Sequence, residues 1–332
     1  MTIRRSLTCV LIAVAVCASV RAQTADPLPS WNNGPVKEKI VAFVRAVTNA
    51  NNPRFVQPAE RIAVFEHDGT LWVEQPMYTQ LQFALARVRA LAPSHPAWKT
   101  QMPFSAVIDG DDKAFEAAGE KALGDVVVAT HTGMTPDEFT QLVVDWIASA
   151  RHPRFNRLYT DLVYQPMIEL LTYLRTNGFK TYIVAGGTVE FVRAWSERVY
   201  GVPPEQIIGT AFVTKYSVSS GRPTLTREPD VDVVDDGPGR PVAIQQFIGR
   251  RPIFAFGSSD GDQQMLEWTA GQTGARFVGL LHHTDGVREY AYDRTSHVGR
   301  LDKALDEATS GNWTIVDMKR DWGRIFAFEP TN

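Results

Sequence analysis

The sequence predicts an α/β chain built on a parallel sheet, and three observations carry that reading. Short apolar runs end abruptly in acids or glycines: Ile62–Phe65 before Glu66, Asp68 and Gly69; 180–185 before Gly186 and Gly187; 253–256 before Gly257, Asp260 and Asp262. Such continuous apolar runs read as strands buried on both faces. Stretches of helical period separate them, as crossover connections between parallel strands require. Between Val73 and about Thr160 no convincing strand occurs, so a mostly helical insertion follows the first strand.

The 332 residues suffice for one large α/β domain or a core with an insertion. With 44% hydrophobic and 21% charged residues, the composition is that of a soluble globular protein. A formal charge of -3 indicates no nucleic-acid or anionic-membrane partner. Arg4 and Arg5 precede an apolar run over 7–20, and Val20-Arg21-Ala22 supplies a small-residue cleavage site. That pattern predicts a signal peptide over 1–22, too short to span a membrane comfortably, and a periplasmic or secreted mature chain with no membrane partner. Val16 is too bulky for Cys17 to read as a lipidation site. Both cysteines, Cys9 and Cys17, lie in this segment, so no disulfide is expected in the mature fold.

After a polar linker over 23–33, Val36, Ile40, Phe43, Val44 and Val47 share one helical face within 36–50. The first core strand closes the segment 23–72. Within the insertion, 73–160, helices are expected at 78–91, 112–123 and 136–150, the last capped by Thr135. The remaining core spans 161–332. It opens with an amphipathic helix, Gln165–Thr176, and the strand 180–185, from which a helix runs to about Tyr200. A hairpin turns around Ser219-Ser220-Gly221-Arg222, a helix covers 241–248, and the strand 253–256 follows. A strand over 275–281 ends in His282-His283-Thr284-Asp285, whose spacing matches no strong metal-ligand pattern. A helix over 298–308 and a strand over 313–318 end the chain.

The chemistry concentrates at the strand ends. Glu66 and Asp68 are carboxylates suited to a hard cation, and the Gly69-Thr70 turn offers amides and a hydroxyl to phosphate oxygens. Gly186 and Gly187 stand between a strand and a helix, an anion-binding arrangement. Asp260 and Asp262 follow a third strand. In a parallel sheet these ends converge on one crevice.

Glu66-His67-Asp68-Gly69-Thr70 resembles the first motif, Asp-x-Asp-Gly-Thr, of the haloacid dehalogenase-like hydrolases, most of which are phosphatases. The chain departs at the first position, where the family's nucleophilic Asp is Glu66. Thr-Tyr-Ile-Val-Ala-Gly-Gly resembles the second motif of the phosphoserine phosphatase-like branch, but Ala185 replaces the phosphate-binding hydroxyl residue, and Thr188 lies three residues on. Arg240 stands near the family's third-motif Lys. Residues 257–265 resemble the fourth motif, Gly-Asp-Ser-x-x-Asp-x-x-Met, with Asp262 and Met265 in register and Ser258 where many members have a metal-binding Asp.

The resemblance covers about 61–281. It implies a Rossmann-like parallel sheet core with a mostly helical cap inserted after the first motif strand. It also implies a secreted, Mg²⁺-dependent phosphomonoester hydrolase acting on a small phosphorylated substrate. By that resemblance Glu66 is nucleophile and metal ligand, and Asp68 is acid/base and ligand through its carbonyl. Thr70, Gly186, Gly187 and Arg240 hold the phosphoryl group, and Asp262 with Asp260 completes the Mg²⁺ site. Because all four motifs are altered together, a catalytically silent protein that binds a phosphorylated ligand or a partner is the alternative. Carbon–halogen hydrolysis is a weaker third reading.

Overall fold

The computed structural model describes residues 26–330, so the expected signal peptide lies outside the described residues. Helix α1 (Pro35–Thr48) buries the face formed by Val36, Ile40, Phe43, Val44 and Val47. Strand β1 (Ile62–Phe65) is buried at every residue. Then come α2 (Thr79–Leu91), α3 (Phe104–Asp109), α4 (Asp112–Ala117), α5 (Gly119–His131) and α6 (Pro136–Ile147), with no strand among them. The helix expected over 112–123 is in fact two, divided at Ala118. Thr135 caps α6 in a reciprocal box: its hydroxyl accepts from the Glu138 amide and the Glu138 carboxylate accepts from the Thr135 amide.

Helix α7 (Gln165–Thr176) leads into β2 (Lys180–Thr188), which runs beyond the expected end at Ala185. The single helix expected up to Tyr200 is two short ones, α8 (Val189–Arg193) and α9 (Ser196–Tyr200). Strands β3 (Ile207–Ser219) and β4 (Arg222–Val233) form the hairpin, longer than its sequence pattern indicated. The chain closes with α10 (Gly239–Ile248), β5 (Phe254–Gly257), α11 (Gln263–Ala270), β6 (Phe277–Thr284), β7 (Ala291–Tyr292), α12 (Lys303–Ser310), β8 (Thr314–Asp317) and α13 (Met318–Asp321). Helix α12 starts later than the expected 298 because the preceding backbone is bound elsewhere. The Gly299 amide donates to the Tyr78 hydroxyl, and the Asp302 and Ala304 amides donate to Asp260 Oδ1.

The sheet order is β4-β3-β2-β1-β5-β6-β7, with β8 also paired to β6. β1 pairs in parallel with β2 on one side and β5 on the other, β3 continues the parallel set beside β2, and β4 and β7 are antiparallel additions. The chain extends the sheet to one side of β1 and then crosses to the other. β1 is therefore the point where strand order reverses, and its carboxyl end opens on a crevice.

Side chains of β1 alternate between two cores, as a strand with period 2 requires. Ala63 and Phe65 belong to one cluster with α1 and α7; Ile62 and Val64 belong to the other, with α10, α11 and α12. The helices after β1 divide as well. Helices α2 to α5 share a small core of their own around Leu85, Val88, Phe104 and Val126, whereas Phe139, Val143 and Ile147 of α6 join the main core. Among the described residues no helix is long and apolar enough to cross a membrane.

Candidate active site

Glu66 and Asp68 leave β1 where the sheet ends. Glu66 is almost fully buried, and its amide continues the ladder by donating to the Phe256 carbonyl of β5 at 2.9 Å. The intervening His67 points the other way, among Trp72, Trp195 and Tyr200. Burial pulls its pKa down to about 3, so this imidazole is neutral and serves packing. Asp68 Oδ1 accepts the Trp72 indole N–H at 2.6 Å. Burial raises the Asp68 pKa to about 6, with Trp72 opposing and Asp262 adding to the rise. The turn beyond it needs glycine: Gly69 has φ +72, and a Cβ there would lie 2.3 Å from Glu74 Oε1.

The cation comes from α10. Arg240 is 3% exposed and its guanidinium lies between two carboxylates. Nη1 contacts Glu66 Oε2 and donates to the Val184 carbonyl of β2 at 2.7 Å, while Nη2 is 3.3 Å from Asp262 Oδ1. Burial pulls the guanidinium below its ordinary pKa, and Asp262 opposes that shift. The ladder from β2 to β3 is irregular between Ala185 and Thr188, and Gly186 and Gly187 line the cavity beside this arginine.

β5 delivers the second acid. Asp262 is fully buried, and its Oδ2 accepts from the Ser258 amide at 2.7 Å, the Ser259 amide at 2.8 Å and the Ser259 hydroxyl at 3.2 Å. That leaves Oδ1 directed to Arg240 alone. The close return of the chain requires Gly257, where a Cβ would stand 2.6 Å from Asp262 Cβ.

Glu66, Asp68 and Arg240 floor a cavity of about 530 Å³, and Asp262 is buried against the guanidinium. Its opposite wall is apolar, from Leu81 of α2, Leu123 and Val127 of α5, and Val234. Gln80 of α2 fastens that wall to β2: its amide N donates to Thr188 Oγ1 at 2.6 Å, and its carbonyl accepts from the Thr188 amide at 2.8 Å.

The structure corrects several of the sequence's assignments. Thr70 is fully buried and donates its hydroxyl to Ser258 Oγ at 3.0 Å, so it presents no group to a phosphate in the cavity. Thr188, three residues beyond Ala185, is engaged by Gln80. Asp260 Oδ1 accepts two amides of the α12 start, at 2.8 and 3.0 Å, because the folded chain brings that helix against it. Among the described residues no group of three or more His, Cys, Asp or Glu side chains, those of the proposed Mg²⁺ ligands Glu66, Asp68, Asp260 and Asp262 included, is placed to hold a metal ion. A guanidinium occupies the space between Glu66 and Asp262, and Ser258 brings no charge. The residues present do not fit Mg²⁺.

Other groups at the site escaped the sequence reading. Glu74 lines the cavity, is buried, and accepts the Tyr292 hydroxyl at 2.7 Å. Burial pushes its carboxyl well above the ordinary range, reinforced by Asp68, Asp262 and Glu289. Its only sequence signal is an acid directly after the apolar Leu71-Trp72-Val73. His283 Nε2 lies 2.7 Å from the Gly69 carbonyl and steadies the turn, which places this histidine in support rather than metal binding. Asp236, His297 and Arg300 also line the cavity, with no motif to mark them, as does the sequence-assigned Asp260.

The sequence model of the haloacid dehalogenase-like hydrolases matches residues 63–267. No curated protein matches the chain. A conserved protein of unknown function from Anaerococcus prevotii superposes with a TM-score of 0.57 at 14% identity, covering 84% of this chain and 91% of its own. A protein of unknown function from Bordetella pertussis gives 0.49 at 15% identity, covering 78% and 99%. A phosphoserine phosphohydrolase-like protein from Francisella tularensis gives 0.38 at 15% identity, covering 76% and 98%. The first of these shows a shared fold.

Proposed function

Given that the chain belongs to the haloacid dehalogenase-like hydrolases, we propose that it hydrolyses small phosphomonoesters through a Glu66 carboxylate nucleophile. The observation that carries this reading is the convergence of Glu66, Asp68 and Arg240 on one cavity, with Asp262 buried against the arginine. A Glu66 oxygen attacks phosphorus, and the bond from phosphorus to the leaving oxygen breaks. Asp68, in its protonated form, gives its proton to that oxygen. Water then attacks the phosphorus of the glutamyl-phosphate while Asp68 takes up the water's proton, releasing phosphate and restoring Glu66. A carboxyl pushed to about 6 populates both protonation states near neutrality, as this double role needs. Arg240 orients Glu66 and neutralises charge on the phosphoryl oxygens. The apolar wall excludes water from the first step. The N-terminal pattern supports action in the periplasm or outside the cell.

Mg²⁺ belongs to the resemblance rather than to the donors present, and no step above is routed through it. The longer side chain of Glu66 and its contact with Arg240 favour a second reading, a silent protein that binds phosphorylated ligands. Phosphate release from p-nitrophenyl phosphate decides between them. The wild type is expected to turn over, and Glu66→Ala to lose roughly 10⁴-fold or more. An inactive wild type that gains activity as Glu66→Asp would establish the silent protein instead.

A further inference from the structure

We infer that the Arg240 guanidinium takes the place of a divalent cation at the cavity floor, so that this site works without a metal ion and excludes one. The inference rests on the phosphomonoester reading above, and it follows from what each candidate ligand is doing. Glu66 and Asp262, the two carboxylates a cation would bridge, both face Arg240. The guanidinium is held there from a third strand by the Val184 carbonyl, so it is part of the built floor.

The other donors are absent or engaged. Ser258 carries a neutral hydroxyl, 3.4 Å from the Asp68 carbonyl and bonded by Thr70. Asp260 caps α12, and Asp68 holds the Trp72 indole. Glu74 is tied to Tyr292. A divalent ion entering here would lie against a buried positive charge, and it would meet two carboxylates whose charge one guanidinium already halves and whose facing oxygens it occupies.

Arginine suits the substitution. Its planar fork offers five donors, enough to hold Glu66, Asp262 and Val184 and to face a phosphoryl oxygen as well. A compact ammonium could not reach all of these from one position. Position 258 brings no carboxylate, and the fixed charge of Arg240 stands between the two acids that remain.

Two measurements test this on the intact mature chain. The first is hydrolysis of p-nitrophenyl phosphate after dialysis against EDTA, with and without added Mg²⁺. The second is calorimetric titration with Mg²⁺ or Mn²⁺ of the wild type, Arg240→Ala and Arg240→Lys. The wild-type rate is expected to change less than twofold on metal removal, and the wild type to bind neither ion at millimolar concentration. Arg240→Ala is expected to lose on the order of 10²–10³-fold in rate and to acquire metal binding as Glu66 and Asp262 come free. Arg240→Lys, which keeps the charge, is expected to stay metal-free and to lose less. Activity that vanishes in EDTA and returns with Mg²⁺ overturns the inference while leaving the phosphomonoester reading intact. Absence of turnover under every condition overturns that reading instead, and the wild-type titration still decides the metal question. If Arg240→Ala does not fold, the wild-type titration decides it alone.

Discussion

The floor and the wall of the cavity differ in kind. On the floor Glu66, Arg240 and Asp262 are buried and each is held by a partner: Glu66 by Arg240 of α10, Arg240 by the Val184 carbonyl of β2, Asp262 by the amides of Ser258 and Ser259 in its own turn. The wall is apolar, comes from helices with a separate core, and is fastened near the catalytic groups by Gln80 on Thr188. The floor therefore carries chemistry that tolerates little displacement, and the wall carries enclosure, which tolerates more. A shift of about 1 Å in a reacting group can lower a rate roughly a hundredfold. The same shift in an apolar contact changes packing by a fraction of that energy.

The sharpest break is on the floor. Asp68→Asn is expected to lower kcat by roughly 10²–10⁴-fold and to flatten the pH–rate profile near 6. It also changes stability in a defined direction. The Asp68 carboxyl titrates at about 6 when folded, against 3.8 ordinarily. The folded state thus binds more protons between these values, and wild-type stability falls as pH rises from about 4 through 6. Asparagine removes that loss, so Asp68→Asn gains on the wild type above pH 6 in denaturant titrations. A pH-independent difference between the two would contradict this account.

Glu66→Asp withdraws the carboxylate by one methylene and is expected to reduce kcat on the order of a hundredfold with KM little changed. Gly257→Ala forces a Cβ against Asp262 and is expected to destabilise by about 1–3 kcal/mol, read by urea unfolding, with activity falling alongside. Asp260→Ala removes the acceptor at the α12 start and is expected to cost about 0.5–2 kcal/mol, with kcat altered less than tenfold. A loss as large as that of Asp68→Asn would return Asp260 to the chemistry. The effect at the wall falls on binding. Gln80→Ala unfastens α2 and is expected to raise KM by roughly fivefold, in line with about 1 kcal/mol for a lost hydrogen bond. A fall in kcat with KM constant would show that the wall takes part in catalysis.

The strand-end acids were legible because a buried parallel strand is a continuous apolar run, and whatever stops it stands out. Glu66, Gly186 and Asp262 were found that way; the first two line the cavity and Asp262 is buried against Arg240. Thr70 and Asp260 carried the same signal, yet Thr70 is turned to Ser258 and Asp260, though it lines the cavity, gives Oδ1 to the start of α12. Their partners, Ser258 and the amides of α12, lie 188, 42 and 44 residues away in sequence. Glu74 and Gln80 were not visible as functional residues, since nothing near them in sequence reveals Tyr292 or Thr188.

The order of apolar runs, their terminal acids and the helical insertion determined the α/β class and the carboxylates at the tip of β1, because periodicity and chain punctuation are local properties. Which cation meets those carboxylates was decided only in three dimensions. Packing α10 against β2 carries Arg240 between Glu66 and Asp262, and Coulomb attraction across buried, low-dielectric space depends on separations that sequence spacing does not encode.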